Sequence, residues 1–231
     1  MLYLHKLKHL PMKRILGILA LTLVLFSACK KKTPSGYTDY LVVGFWVCTV
    51  SDCDGTITEN PPYYIDAMRD HKVRFYDGAY SRDLYWKLNG EQLIITGDGE
   101  CPEIALKSLT SRHMTWEKYW YGQDYLESYT NLGEIFQGLW RISYKGDWYA
   151  ASVNVENYYD NNGTSYWKKN GTGSLIDFTW QFSQGERPTI SFNTQTPLDD
   201  LPMAFSVPLT SVSDDIIKGE LNTYEIVFER Q

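Results

Sequence analysis

Hydrophobic and polar positions alternate with a period of two through most of this chain. Gly44-Phe45-Trp46-Val47-Cys48-Thr49-Val50 puts Trp46, Cys48 and Val50 on one face. Gly138-Leu139-Trp140-Arg141-Ile142-Ser143-Tyr144 does the same with Trp140, Ile142 and Tyr144, 94 residues later. A period of two marks a half-buried strand. Val73 to Tyr76 runs into Asp77-Gly78, and Leu84 to Leu88 ends at Asn89-Gly90. Both dipeptides favour two-residue hairpin turns. Gln92 to Thr96, Ile104 to Leu109 and Met114 to Lys118 complete the first set of strands. No window carries a 3.6-residue apolar period of helical length, so the pattern predicts an all-β protein.

The second half repeats the first. Asp77-Gly78 answers Asn170-Gly171, Trp86-Lys87-Leu88 answers Trp180-Gln181-Phe182, and Leu109-Thr110-Ser111 answers Leu209-Thr210-Ser211. Met114 to Lys118 is matched to Ile226 to Arg230. Two copies are too few for a solenoid, which needs at least about three units. The repeat predicts two small antiparallel β-barrels or sandwiches in tandem, or one larger β structure built from both halves. The boundaries drawn are 38–120 for the first repeat and 135–231 for the second. The stretch from Tyr119 to Tyr129 lacks alternation, so 121–134 is read as a linker.

Gly44 to Trp46, Phe75 to Tyr80, Tyr85 to Ile95, Leu109-Thr110 and Met114 to Glu117 together resemble the lipocalin-like domain of Bacteroidetes lipoproteins. The second half resembles a more divergent relative, through Gly171-Thr172-Gly173 and Phe178-Thr179-Trp180. The resemblance implies lipocalin-like barrels and says almost nothing about activity. Gly44, Trp46, Trp86, Gly138, Trp140 and Trp180 are read as scaffold, with the four indoles facing inward.

The front of the chain changes the picture of where the protein works. Ile15 to Ala28 is a 14-residue apolar run behind Lys13-Arg14. A membrane-spanning helix needs roughly 20 residues, so the run reads as a signal-peptide core. Met12 is read as the true start. Leu25-Phe26-Ser27-Ala28-Cys29 resembles the lipobox of bacterial lipoproteins, which implies cleavage after residue 28 and lipidation of Cys29. Residues 29–37 form a polar tether without apolar periodicity. In the lipoproteins it resembles, an acidic stretch after the Cys marks surface export, and here Lys30-Lys31-Lys32 is basic. The expected location is the periplasmic face of the outer membrane, with the cell surface as the alternative.

The chain's net charge is −6. Loss of Lys6, Lys8, Lys13 and Arg14 with the signal takes it to −10. So acidic a protein is a poor match to nucleic-acid phosphates, and that partner class is excluded. Cys48, Cys53 and Cys101 remain in an oxidising compartment. Cys53 and Cys101 lie in loop-like stretches and are expected to pair, Cys48–Cys101 being the rival.

Catalytic chemistry is thinly supplied. His71 and His113 read as loop residues, and Asp199-Asp200 and Asp214-Asp215 as solvated turns. No His or Cys quartet has zinc spacing. No enzyme activity, metal or cofactor is expected. The aromatics near strand ends are the binding candidates: Tyr63, Tyr64, Trp148, Tyr149, Tyr158, Tyr159, Tyr166 and Trp167. Such side chains offer an apolar face with a hydrogen-bonding handle. The expected partners are the membrane, through the lipid, and a small apolar ligand, a glycan or an envelope protein. The anchor is testable directly. Radioactive palmitate is expected to label the native protein and not the Cys29→Ala variant, and equal labelling of the two would contradict it.

Overall fold

Each Gly-x-Trp step enters its strand from one helical turn. The computed structural model describes residues 37–231 except 78–80, 158–160 and 197–200. The signal segment, Cys29, Tyr158, Tyr159 and Asp199-Asp200 lie outside the described residues. Helix α1 (Asp39–Val42) leads into β1 (Gly44–Cys53), and α2 (Leu132–Phe136) leads into β10 (Gly138–Tyr144). Trp46 Nε1 donates to Val42 O at 2.7 Å, and Trp140 Nε1 donates to Phe136 O at 2.7 Å. Both indoles satisfy a carbonyl that the helix end leaves without a partner. Gly44 sits at φ +152°, where a Cβ would lie 2.5 Å from Asn131 Nδ2. Gly138 sits at φ +129°, with Arg230 Nη1 at 3.1 Å from the corresponding point. Glycine is the residue that fits both.

The first barrel is a meander of β1, β2 (Thr56–Glu59), β3 (Tyr63–Ala67), β4 (Lys72–Asp77), β5 (Ser81–Asn89), β6 (Gln92–Thr96), β7 (Glu103–Leu109), β8 (His113–Trp120) and β9 (Gln123–Asn131). One edge of β1 pairs with β3 near its start and with β2 further on, and the other edge pairs with β9. Eight strands therefore close the wall. The second barrel closes through β10, β11 (Asp147–Asn157), β12 (Asn162–Lys169), β13 (Ile176–Ser183), β14 (Thr189–Asn193), β15 (Ala204–Val212), β16 (Ile216–Leu221) and β17 (Tyr224–Arg230). The protein is thus all-β, with two closed, lipocalin-like antiparallel barrels in tandem rather than one larger β structure.

Two sequence expectations need correction, and they share a cause. The supposed linker, 121–134, contains β9, the closing strand of the first barrel. Its lumen-facing positions are Tyr125, Glu127 and Tyr129, while Leu126 faces out and is exposed. A glutamate on the buried face and a leucine on the wet one erase the usual alternation. The last pairing of the repeat is consequently off by one strand. Met114 to Lys118 lies in β8, the seventh strand of its barrel, whereas Ile226 to Arg230 lies in β17, the eighth of the other. The true counterpart of Arg230 is Asn131: Trp46 faces Asn131 across the sheet as Trp140 faces Arg230. Trp86-Lys87-Leu88 and Trp180-Gln181-Phe182 occupy equivalent fourth strands, and Leu109 and Leu209 equivalent sixth strands.

Asn131 also removes any need for a linker. It ends β9, and its Oδ1 caps α2 by accepting from Gly133 N at 3.2 Å. Asparagine is a strong N-cap because its side chain satisfies an orphan donor of the first turn. Arg230 reaches the other end of α2, donating to Gln137 O at 3.1 Å and to Ile135 O, with its guanidinium 4.6 Å from the Trp140 ring centroid.

Strand β1 is buried on both faces. Trp46 and Cys48 point into the first barrel, and Phe45 and Val47 point out of it into the second core. Phe45 stacks on Tyr64 and on Phe182, each at 5.2 Å between centroids. Tyr64 Oη donates to Gly185 O at 2.7 Å and accepts from Gly185 N at 2.8 Å. Asp66 accepts from Asn161 Nδ2 at 3.0 Å across the same seam. The base of the second barrel is thereby fixed to the outer wall of the first. Phe45→Ala and Phe182→Ala are each expected to destabilise by about 3 kcal/mol. Because the two rings share a contact, the double variant should lose less than their sum in urea denaturation.

Candidate functional site

The two barrels differ in what fills them. In the second, the Trp167 ring lies 4.8–6.4 Å from the rings of Phe178, Phe192, Phe205 and Phe228. All five are nearly or fully buried, so side chains occupy the interior. In the first, Trp46, Trp86, Met114 and Trp116 fill the lower half, and the upper half is hollow. An eight-stranded barrel is just wide enough either to pack its own side chains or to hold one small ligand. Here the first barrel does both, at different heights.

The cavity opens at the mouth and measures about 660 Å³. Its walls come from the upper ends of β3, β4, β8 and β9. Phe75, Tyr63, Tyr125 and Tyr129 line it from within, and Trp120 and Tyr121 stand at the β8–β9 turn. Trp120 and Tyr121 stack at 5.2 Å between centroids, 14° apart. Arg82 lines the far side and donates to Glu100 O and Asp98 O, each at 2.7 Å, which ties down the β6–β7 connection.

A buried ion pair forms the floor. Glu127 is fully buried and Lys118 nearly so, with Nζ to Oε1 at 2.6 Å. Glu127 Oε2 accepts from Trp116 Nε1 and from Tyr129 Oη, each at 2.8 Å. A carboxylate out of water needs such saturation, since each missing partner would leave part of its charge unbalanced. The Lys118 ammonium lies 4.5 Å from the Tyr125 ring centroid and 5.3 Å from that of Trp120.

This surround keeps neighbouring acids protonated. Burial pushes the Tyr129 phenol well up, and the Glu127 carboxylate adds to it. Burial and then Glu127 also raise Tyr63, and burial and then Cys53 raise Tyr125. Cys48 is driven up by burial first and by Glu127 second. At neutral pH the wall therefore presents hydroxyls rather than phenolates, and the buried Cys48 stays a thiol.

Of the aromatics singled out from sequence, Tyr63 lines this cavity, and Tyr64 borders it while turning its fully buried side chain to the second barrel. Tyr149 and Trp167 do not: both are fully buried inside the second barrel, where no ligand reaches them without unpacking the core. Trp148 lies on that barrel's outer wall under Arg141, 5.0 Å from its guanidinium. Tyr166 alternates with Trp167 and also faces outward. Tyr158 and Tyr159 fall outside the described residues. Sequence reasoning missed Lys118, Trp120, Tyr125 and Glu127. A usable signal existed in Trp116-x-Lys118-x-Trp120 and Tyr125-x-Glu127-x-Tyr129, where a charge sits between aromatics at strand period.

The expected Cys53–Cys101 disulfide is absent, and Cys48, Cys53 and Cys101 are all free thiols. Cys53 ends β1 and Cys101 precedes β7, three strands away by way of β9 and β8. At about 4.8 Å per strand that is roughly 14 Å of wall, where a bridge needs Cα atoms within about 7 Å. His71 packs on Trp86 at 4.7 Å between centroids, and His113 Nε2 lies 3.2 Å from Asp214 Oδ2 between the barrels. Among the described residues no cluster of His, Cys, Asp or Glu could hold a metal ion, and no helix is long and apolar enough to cross a membrane. Comparison with protein-family models, with curated proteins and with solved structures returned no match, so the site is read from its own geometry.

Two outcomes follow for the site. Lys118→Met leaves the Glu127 charge buried and unpaired, and should destabilise by about 3–5 kcal/mol in urea denaturation. Lys118→Met with Glu127→Gln should recover most of that loss. In thiol titration at pH 8, the Cys48 thiol, raised by burial, should stay silent in the native protein and react once the chain is unfolded.

Proposed function

We propose that the protein is a non-catalytic binding lipoprotein, anchored through Cys29, that holds a small, largely apolar ligand in the mouth of its first barrel. The observation that carries this reading is the contrast between the barrels: one is filled by its own aromatics, and the other keeps an aromatic cavity of about 660 Å³ open to solvent. Ligand pockets commonly measure about 300–1,000 Å³ and combine apolar walls with a few placed polar groups. Tyr63, Phe75, Trp120 and Tyr125 supply the walls, and Lys118 the polar group. The second barrel serves as a rigid mount, fused through Asn131 and the Phe45 stack. The basic tether favours the periplasmic face of the outer membrane, with the cell surface as the alternative.

A second reading, glycan binding, is favoured by the Trp120–Tyr121 stack at the rim, where Tyr121 is 66% exposed. An exposed aromatic face suits the apolar side of a sugar ring. The two separate in one experiment. N-phenyl-1-naphthylamine, an uncharged fluorescent probe, is expected to bind one per chain. Trp120→Ala and Tyr125→Ala should each weaken it about tenfold or more, while Trp148→Ala should leave it unchanged. Absence of probe binding together with retention on a glycan array would replace the first reading with the second.

A further inference from the structure

The floor of the mouth cavity offers hydrogen-bond donors and carries no spare charge, and this narrows the chemistry of what the mouth binds. Both Glu127 oxygens are engaged within the protein, by Lys118, Trp116 and Tyr129. Lys118 spends one ammonium proton on Glu127, and an ammonium has three. Trp120 Nε1 is buried and has no hydrogen-bond partner among the described residues. Lys118 lines the cavity with ammonium protons to spare, so the polar floor is a donor, while the Trp120 N–H at the rim is turned away from the lumen.

We propose that the ligand is an uncharged, flat, ring-bearing molecule whose carbonyl oxygen accepts from Lys118 Nζ. The inference rests on the binding reading above and makes it specific. A carboxylate head at Lys118 would add a net negative charge beside Glu127, whose pair is already balanced, and Arg82 on the far side shares the cavity with Asp77 and Glu100, so the acid would leave buried charge unbalanced. An ammonium head suits the aromatic faces but meets the Lys118 charge, which already lies against Tyr125 and Trp120. A hydrocarbon would displace water and leave the donors unsatisfied, and polar sites reject ligands that lack the matching group. A neutral carbonyl avoids all three costs. The ring faces of Tyr63, Trp120 and Tyr125 favour a flat body, since aromatic surfaces gain most from offset stacking or edge contact.

Four naphthalenes of one body test this: 2-acetylnaphthalene, 2-ethylnaphthalene, 2-naphthoate and 2-naphthylmethylammonium. Each competes with N-phenyl-1-naphthylamine for the full-length protein. The ketone should bind about fivefold more tightly than the hydrocarbon, the worth of about one hydrogen bond, and more tightly than either ion. In the Lys118→Met, Glu127→Gln variant the hydrocarbon should overtake the ketone. If the double variant folds poorly, the carbonyl carbon-13 signal of the ketone should move downfield on binding the native protein, and an unmoved signal would overturn the hydrogen bond. Should the hydrocarbon, the acid or the amine match the ketone while the probe still binds, the ligand class is overturned and the mouth site stands. Failure of the probe to bind at all overturns both.

Discussion

One buried carboxylate shapes the first barrel of this protein. Glu127 faces inward on the last strand of the first barrel, and three donors from two strands converge on it: Lys118, Trp116 and Tyr129. The arrangement ties β8 to β9 with side-chain bonds as well as the ladder between them. It also sets the height at which packing stops. Below it, indoles and aliphatic chains fill the barrel; above it, the wall is aromatic and the lumen is open. A hydrophobic residue at 127 would allow the core to continue upward, and the cavity would lose its polar floor.

The tandem arrangement divides the work between two similar units. Their Gly-x-Trp steps, helix-end hydrogen bonds and register are alike, down to Asn131 and Arg230 facing the two tryptophans. Yet one unit is packed solid and the other is hollow at one end. Burying both faces of β1 lets one strand belong to two cores at once. Phe45 and Tyr64 leave no soft joint, and the void beside Pro61, Pro62 and Pro188 measures only about 10 Å³. A barrel with a partly empty interior loses packing energy, and a filled neighbour clamped to its wall offsets part of that loss.

Much of this was legible in the sequence where burial follows hydrophobicity. Trp46, Trp86, Trp140 and Trp180 sit on period-two faces beside hairpin dipeptides, and so the strands, the repeat and the two-barrel plan could be read. Reading failed at β9, where Glu127 takes a core position and Leu126 a wet one. Local pattern tends to break where a site demands a residue that packing alone would not choose. Two of the binding candidates, Tyr149 and Trp167, belong to a filled core for a related reason. Tyr149 and Trp167 resemble Tyr63 and Tyr125 in type and strand context, and only the closure of the barrels separates a filling ring from a lining one. The thiols were misread because distance around a closed wall cannot be counted along the chain.

The central claim is that binding belongs to the mouth of the first barrel and not to the second. Indole N–H signals report this site by site, since the chain has eight tryptophans spread over both barrels. On titration with 2-acetylnaphthalene, nitrogen-15 spectra should show Trp120 and Trp116 shifting in a saturable way, while Trp140, Trp167 and Trp180 stay fixed. Shifts confined to the second barrel's tryptophans, or a spectrum that does not change at all, would contradict the account.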